Sequence, residues 1–417
     1  MKLYRYHSPY RSQFIQAKGT MGKVRSGCIL VWDSQYYRAL GECAPLNGFS
    51  EESILECLDE FRRFESELEN VLTRFEEDFT NCPFPSLSVL GRWEQEVTQW
   101  FNPKYPSLRF GISMLMYDWL SQRYNLPMHS FFLRVCDDFK HEIHDDANHA
   151  SIPVNALLPI LDMHESLSNI AEIIKKGYEV VKIKVSGNHE DNIRLLSQIK
   201  DRAPNLGLRL DANAQWSAES FLPWAKKYSK LDLEYIEQPF SKSDFAVELK
   251  KCTQAEVALP PFAADESCAG VTDFYELLNT TQLPYYIIKP TLMGSLSDIL
   301  KVIIDAKKLD STCVLSSSFD GIISRKVIAS LANFSNYIGE IDIAHGLDTG
   351  KWLIETYGSP EFLLMPEIQN GRFNLEDTLF NEPIEDGTSS PRNNAQRLSL
   401  ERLVSIQQLE PIPMDAL

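Results

Sequence analysis

Five ionisable residues recur through the middle of the 417-residue chain, each at the end of a short apolar run. Lys184 closes YEVVKIK, Asp211 closes LRLD, Glu237 closes EYIE, Asp265 closes FAAD and Lys289 closes YIIK, one every 24–28 residues. Three carboxylates held side by side repel one another unless a cation lies between them. An all-oxygen donor set with no His or Cys beside it suits Mg2+, with Mn2+ as a substitute, over Zn2+. A lysine on either side of the triad can remove or return a proton next to a cation-bound carboxylate, the cation stabilising the enediolate. A lysine serves as base only when its pKa falls, which partial burial and a neighbouring cation both promote. Lys182 points the same way as Lys184 on its strand and adds positive field. A single such residue is ordinarily a strand-end cap. Five at one spacing, each behind an apolar run, point to a site.

Residues so placed need elements to carry them. From Ser151 short apolar runs alternate with helical stretches: SIPVNALL, YEVVKIKV, LGLRLDAN, LEYIEQPF, PFAADES, YYIIKP, CVLSSS and IGEIDI. Strand followed by helix, repeated, gives parallel strands joined by crossovers. About eight such units at a short, even period favour an α/β fold, a (β/α) barrel of the TIM type, with an open doubly wound sheet as the alternative. In a barrel the five residues share the C-terminal rim, where active sites of this fold lie. Residues 1–135 mix strand-like and helical stretches and read as an α+β capping domain. Within it Cys28–Trp32 reads as a buried strand and Pro106–Leu120 as a largely apolar helix. Ser53–Glu65 reads as an amphipathic helix with Ile54, Leu55, Leu58 and Phe61 on its apolar face. The charged stretch 137–149 reads as a linker, and the barrel takes residues 136–354. Residues 355–417 lose the alternation and read as a segment that packs back on the cap or forms an exposed tail.

Composition bounds the partners. Lys plus Arg number 41 against 58 Asp plus Glu, a formal charge of −17 that disfavours nucleic acid. No apolar run reaches the ~18 residues of a spanning helix, so no membrane span is expected. The polar start MKLYRYHSPYRSQF is unlike a secretory signal, and the eight Cys form no CxxC pair. They read as reduced, mostly buried thiols, and the expected location is the cytoplasm. No GxGxxG or GxxxxGK[ST] run supports nucleotide chemistry. His141, His144, Asp145, Asp146 and His149 are metal-ligand types, but HEIH lacks the spacing of a zinc protease helix and the stretch reads as solvated. The sequons at Asn279 and Asn333 carry no weight without export, and Glu382–Asp386 reads as a solvated acidic face. A small-molecule carboxylate is the expected partner.

The rim motifs KIK (182–184), DAN (211–213), EQP (237–239), DES (265–267) and KPTLMGS (289–295) resemble those of the enolase superfamily, in its muconate-cycloisomerase branch. With GECAPLNGFSEES (41–53), PSLRFGISMLMYDW (106–119), VLSSS (314–318) and HGLDT (345–349), nearly the whole chain is similar to the o-succinylbenzoate synthase family. That resemblance implies a carbon–oxygen lyase of menaquinone biosynthesis. Its reaction is Mg2+-dependent dehydration of a hydroxycyclohexadiene carboxylate with a succinyl arm to o-succinylbenzoate, through a metal-stabilised enediolate. The resemblance implies Lys184 as the base, which then returns the proton to the departing hydroxyl, and Lys289 on the opposite face, steadying the charge and the ring. Asp211, Glu237 and Asp265 would hold Mg2+, with Lys182, Arg209 and Asn213 in support. Ser316, Ser317, Ser318 and Gly346 would meet the succinyl carboxylate through backbone amides. Leu46 and Phe49 would close the pocket from the cap, and the basic stretch Lys18–Arg25 would act as a lid. Phe319–Asp320 depart from the family's aliphatic residue and Glu, which leaves Asp320 without an implied role. Racemases of N-succinylamino acids and dipeptide epimerases share the lysine pair and the triad and form the alternative. A non-catalytic barrel scaffold would have no need of charge at these five positions.

Overall fold

The apolar run CILVW at 28–32 is buried on both faces, which makes Val24–Asp33 (β2) a central strand. It pairs antiparallel with Lys2–Pro9 (β1) on one side and Arg38–Cys43 (β3) on the other. The structure, a computed structural model, describes residues 1–10, 15–16, 19–20, 24–136, 151–353, 368–375 and 409–411. The stretch 137–149 with its His and Asp cluster, Glu382–Asp386, and all of Lys18–Arg25 but Gly19–Thr20 and Val24–Arg25 lie outside the described residues. Leu409–Pro411 pairs antiparallel with β1, so this part of the C-terminal segment lies on the cap sheet.

Five helices back that sheet: Ile54–Arg63 (α1), Glu65–Thr80 (α2), Leu87–Thr98 (α3), Pro106–Arg123 (α4) and Met128–Val135 (α5). Ser53 begins α1 with a capping box: its hydroxyl accepts from the Glu56 N–H while the Glu56 carboxylate accepts from the Ser53 N–H. The buried face of α1 is Cys57, Leu58 and Phe61, whereas Leu55, expected inside, is 51% exposed. At about 100° per residue, Leu55 falls off the line through Ile54 and Phe61. Gly41 on β3 and Gly111 on α4 let strand and helix meet backbone to backbone, since a Cβ on Gly41 would run into the Gly111 carbonyl.

From residue 151 the alternation folds into a parallel sheet. Its strands lie in sequence order: Ala156–Leu158 (β4), Val180–Lys184 (β5), Gly207–Asp211 (β6), Leu233–Glu237 (β7), Phe262–Ala264 (β8), Tyr285–Ile288 (β9) and Thr312–Leu315 (β10). Met163–Lys175 (α6), His189–Arg202 (α7), Ala218–Tyr228 (α8), Phe245–Gln254 (α9), Val271–Thr280 (α10) and Leu296–Lys308 (α11) cross between them, and Ile322–Gly339 (α12) follows β10. The eighth position is held by two parallel bridges, Val154 with His345 and Ser316 with Gly346, which close the curled sheet on itself. The expected eighth strand, IGEIDI, instead ends α12 and turns at Glu340, whose φ of 52° stops the helix. Ser151–Pro153 is not a barrel strand either, because it pairs antiparallel with Arg372–Asn374.

Cap and barrel share one apolar core, running from Tyr6 and Trp32 through Trp119 to Ile323 and Phe334. Two buried cap carboxylates close the starts of barrel helices, where N–H groups lack intrahelical partners. Glu42 on β3 accepts from the N–H of Gly321 and of Ser324 at 2.7 and 2.9 Å, at the start of α12. Glu94 on α3 accepts from Leu296 and Ser297 N–H at 2.9 and 2.8 Å, at the start of α11. No helix among the described residues is long and apolar enough to cross a membrane. None of the eight Cys takes part in a disulfide, and seven of them are buried.

Candidate active site

Side chains alternate along a strand, so Lys182 and Lys184 of β5 share a face with their register partners Arg209 and Asp211 of β6. Glu237 on β7 lies opposite Asp211, while Asp265 directly follows β8 and Lys289 directly follows β9. The five expected rim residues therefore come together. Lys184 Nζ is 3.3 Å from Asp211 Oδ2 and 2.7 Å from Asn213 Oδ1. Lys182 Nζ sits between Asp211 and Glu237, at 3.0 and 2.5 Å. Lys289 Nζ is 2.6 Å from the Asp265 carboxylate.

This crowding sets the protonation. Burial alone would raise Asp211, but Lys182 and Lys184 pull its carboxyl well below the usual carboxylate range. Burial pushes Glu237 up to about 8 against the pull of Lys182, with Asp211 and Asp265 adding to the rise. Burial works to lower the Lys289 ammonium, yet Asp265 and Glu266 hold it above its ordinary value. Carboxylates at close range thus outweigh burial at Lys289.

As the side chains stand, no three His, Cys, Asp or Glu groups among the described residues converge on one ion position. The Lys182 ammonium lies between two of the three carboxylates. The donor set nonetheless fits a divalent cation. Glu237 Oε2 is buried without a hydrogen-bond partner among the described residues. Neighbouring strands supply hard carboxylate oxygens, and an ion there would offset the burial and the carboxylate repulsion that push Glu237 up.

Supporting residues hold the rim from behind. Arg209 is fully buried and donates to Glu234 at 2.6 Å and to the Ala344 carbonyl at 2.7 Å, with its guanidinium 4.9 Å from the Tyr235 ring centre. Asn213, at φ 45°, donates its N–H to Asp211 Oδ1 and accepts from Lys184, so it orients a carboxylate and a lysine together. Sequence reasoning assigned no role to Gln238. Its Oε1 accepts from the N–H of Asp265 and of Ser267, while its Nε2 donates to the Phe240 carbonyl and the Ser267 hydroxyl. One buried amide thus shapes the Asp265 turn. The available signal was the polar residue placed between Glu237 and Pro239 in an otherwise apolar stretch.

The profile of the family described as Enolase C-terminal domain-like matches residues 165–377, more than half of the chain. The chain belongs to the enolase superfamily. In this superfamily member a second profile, MenC, N-terminal domain, matches residues 1–88. An o-succinylbenzoate synthase from Haemophilus influenzae is 28% identical over 351 residues, covering 83% of this chain and 88% of that protein. A D-Ala-D/L-Ala epimerase from Cytophaga hutchinsonii is 24% identical over 197 residues, 47% of this chain and 50% of that protein. The solved substrate-liganded L-Ala-D/L-Glu epimerase from Bacillus subtilis has a TM-score of 0.68 at 21% identity, covering 85% of this chain and 91% of that one. Its likeness shows the superfamily fold, a TIM-type barrel with an N-terminal cap. The resemblance to o-succinylbenzoate synthases runs through both cap and barrel, whereas the epimerase sequence match covers less than half of the chain.

The remaining expected residues of this enolase-superfamily site lie at the last strand ends and on the cap. The Ser316 N–H donates to the Ile288 carbonyl, Ser317 to Gly346, Ser318 to Asp320 and Gly346 to Leu315. All four amides are committed within the fold, which corrects the expectation that they cradle a carboxylate. The hydroxyls of Ser316 and Ser318 take no hydrogen-bond partner among the described residues. Asp320 gains a role: it accepts from the Thr291 hydroxyl, the Ser317 hydroxyl and the Ser318 N–H at 2.8, 3.0 and 2.7 Å, pinning the Ser run. From the cap, Leu46 packs with Phe319, and Tyr10, Phe49, Leu157 and Trp352 pack onto that pair. The Phe49 ring centre is 4.9 Å from Lys289 Nζ. Arg25, expected in a mobile lid, is only 3% exposed. Beside Leu46 lies a cavity of about 260 Å3 whose walls include Arg5, Tyr10, Arg25 and Asn47.

Proposed function

We propose that this protein is a cytoplasmic carbon–oxygen lyase of menaquinone biosynthesis, dehydrating a succinyl-bearing hydroxycyclohexadiene carboxylate to o-succinylbenzoate. The observation that carries the reading is the rim itself. Lys184 and Lys289 stand on either side of the strands bearing Asp211, Glu237 and Asp265. A ring carboxylate held at those strands presents its α-carbon between the two lysines. Asp211, Glu237 and Asp265 would hold Mg2+, or Mn2+ in its place, which when bound supplies positive charge that eases loss of the α-proton. Lys184, oriented by Asn213, takes that proton and delivers it to the departing hydroxyl. The ring then loses water and becomes aromatic. Lys289 steadies the negative charge that develops on the carboxylate, and Phe49 covers its outer side against water. The Ser316 and Ser318 hydroxyls are the donors offered to the succinyl carboxylate.

The paired lysines also support a second reading, racemisation of an N-succinylamino acid or epimerisation of a dipeptide, in which each lysine serves one stereoisomer. Turnover of the cyclohexadiene substrate followed by ultraviolet absorbance, with N-succinylamino acids in parallel, separates the two. Dehydration that outruns racemisation is expected. Fast racemisation with no dehydration would reverse the assignment.

A further inference from the structure

We infer that Arg25 is a positioning residue that sets the apolar wall met by the substrate's arm, acting through Phe319 and Leu46. This rests on the proposed dehydration. Arg25 is buried near the start of β2 and has no carboxylate partner among the described residues. A buried guanidinium persists only where its N–H groups are satisfied. Its Nε donates to the Phe319 carbonyl at 3.0 Å, and its terminal nitrogens donate to the carbonyls of Ser26, Ala44 and Pro45. Four backbone carbonyls thus engage the fork that would otherwise grip a substrate carboxylate.

What those carbonyls belong to gives the residue its purpose. Ala44 and Pro45 lead directly into Leu46. Phe319 holds φ at 57°, a left-handed conformation that a bulky residue adopts only when its surroundings impose it. Arg25 grips the Phe319 carbonyl from the cap, while Asp320, the next residue, is fixed from the barrel through Thr291. The Phe319 ring so placed packs with Leu46 and meets the Tyr10 ring edge-on at 5.6 Å. Phe49, packed on the same pair, reaches Lys289. One buried cation therefore sets both central residues of a wall that adjoins the reacting centre. The wall contacts the methylenes of the arm rather than the reacting carbon, so its effect falls on binding.

The test is a double-mutant cycle of Arg25→Met and Phe319→Ala. Binding of o-succinylbenzoate to the Mg2+-loaded protein is read by calorimetry, binding of arm-less benzoate by ligand-observed NMR, and KM and kcat with the cyclohexadiene substrate. Arg25→Met should weaken o-succinylbenzoate about tenfold and raise KM to match, with kcat and benzoate binding within about twofold of the wild type. In the Phe319→Ala background the same substitution should weaken o-succinylbenzoate only about threefold, the part of the effect that passes through Leu46. Arg25→Lys, which keeps the charge but not the fork, should restore part of the loss, and it replaces Arg25→Met in the cycle if the latter does not fold. Additive effects, an equal loss for benzoate, or a fall in kcat at constant KM would each overturn the inference. A wild-type protein that binds no o-succinylbenzoate would overturn the proposed reaction itself, a different pattern from any of these.

Discussion

Glu42 and Gly321 lie 279 residues apart in sequence and meet across the cap–barrel boundary, the Gly321 N–H donating to Glu42 Oε1 at 2.7 Å. The Tyr6 hydroxyl donates to the same oxygen and the Ser324 N–H to the other. The loop Ser316–Asp320 enters α12 through this contact, so a cap carboxylate helps to hold a barrel loop at the site.

The space at that contact is closed. A Cβ on residue 321 would run into Glu42 Oε1 and the Tyr6 hydroxyl. Gly321→Ala should therefore lower stability by ~1–3 kcal/mol, the range for overpacking a filled interior. Denaturant midpoints of the two proteins check it, and equal midpoints would show that the junction yields freely.

The carboxylate triad should be needed for the cation and dispensable for folding. Asp211→Asn, Glu237→Gln and Asp265→Asn should each abolish calorimetric Mg2+ binding and lower turnover by about 10²–10³-fold or more. Their thermal midpoints should stay within a few degrees of the wild type, since each variant keeps its side-chain volume. Undiminished turnover after complete chelation would rule out the cation's role.

The two lysines should separate by isotope exchange. Lys184→Ala should stop both dehydration and exchange of the α-proton with solvent deuterium. Lys289→Ala should slow turnover through lost charge stabilisation, about 3 kcal/mol or roughly 10²-fold. If each single variant still exchanges one enantiomer of an N-succinylamino acid, the lysines are a racemase pair and the second reading stands.

His345 should leave a signature in the acid range. Its Nδ1 accepts from the Leu315 N–H at 2.9 Å, and its Nε2 faces Asn336 Oδ1 at 3.0 Å. Burial, reinforced by Arg209, pulls the imidazole down from 6.5 to about 3. Below its unfolded value the unfolded chain takes up a proton that the folded chain refuses, so stability falls as pH drops through the window from 6.5 to about 3. The slope from one such group approaches ~1.4 kcal/mol per pH unit. His345→Gln should remove most of it, read as the difference between the two proteins' urea unfolding energies at about pH 4 and pH 6. Parallel slopes would mean that His345 titrates freely inside the fold.

Some of this was determined by the sequence alone. The even spacing from Lys184 to Lys289 dictates parallel strands that each deliver a polar residue to one rim. The two-residue period of a strand dictates that Lys182 joins Lys184, and Arg209 joins Asp211, on one face. The helix that begins behind Ser53 was equally legible, from Ile54, Leu58 and Phe61 at helical spacing. Tertiary structure alone decided that Lys182 stands between two carboxylates, that Gln238 shapes the Asp265 turn and that the amides of the Ser run are already taken. It also decided that His345 and Gly346 close the barrel where IGEIDI had suggested a strand. Each of these depends on a contact between residues far apart in the chain, or on a torsion such as the φ of Phe319 that distant partners impose. Spacing and residue type specify which groups a strand presents. Whether a donor or charge stays available to a substrate depends on which other segment has satisfied it first.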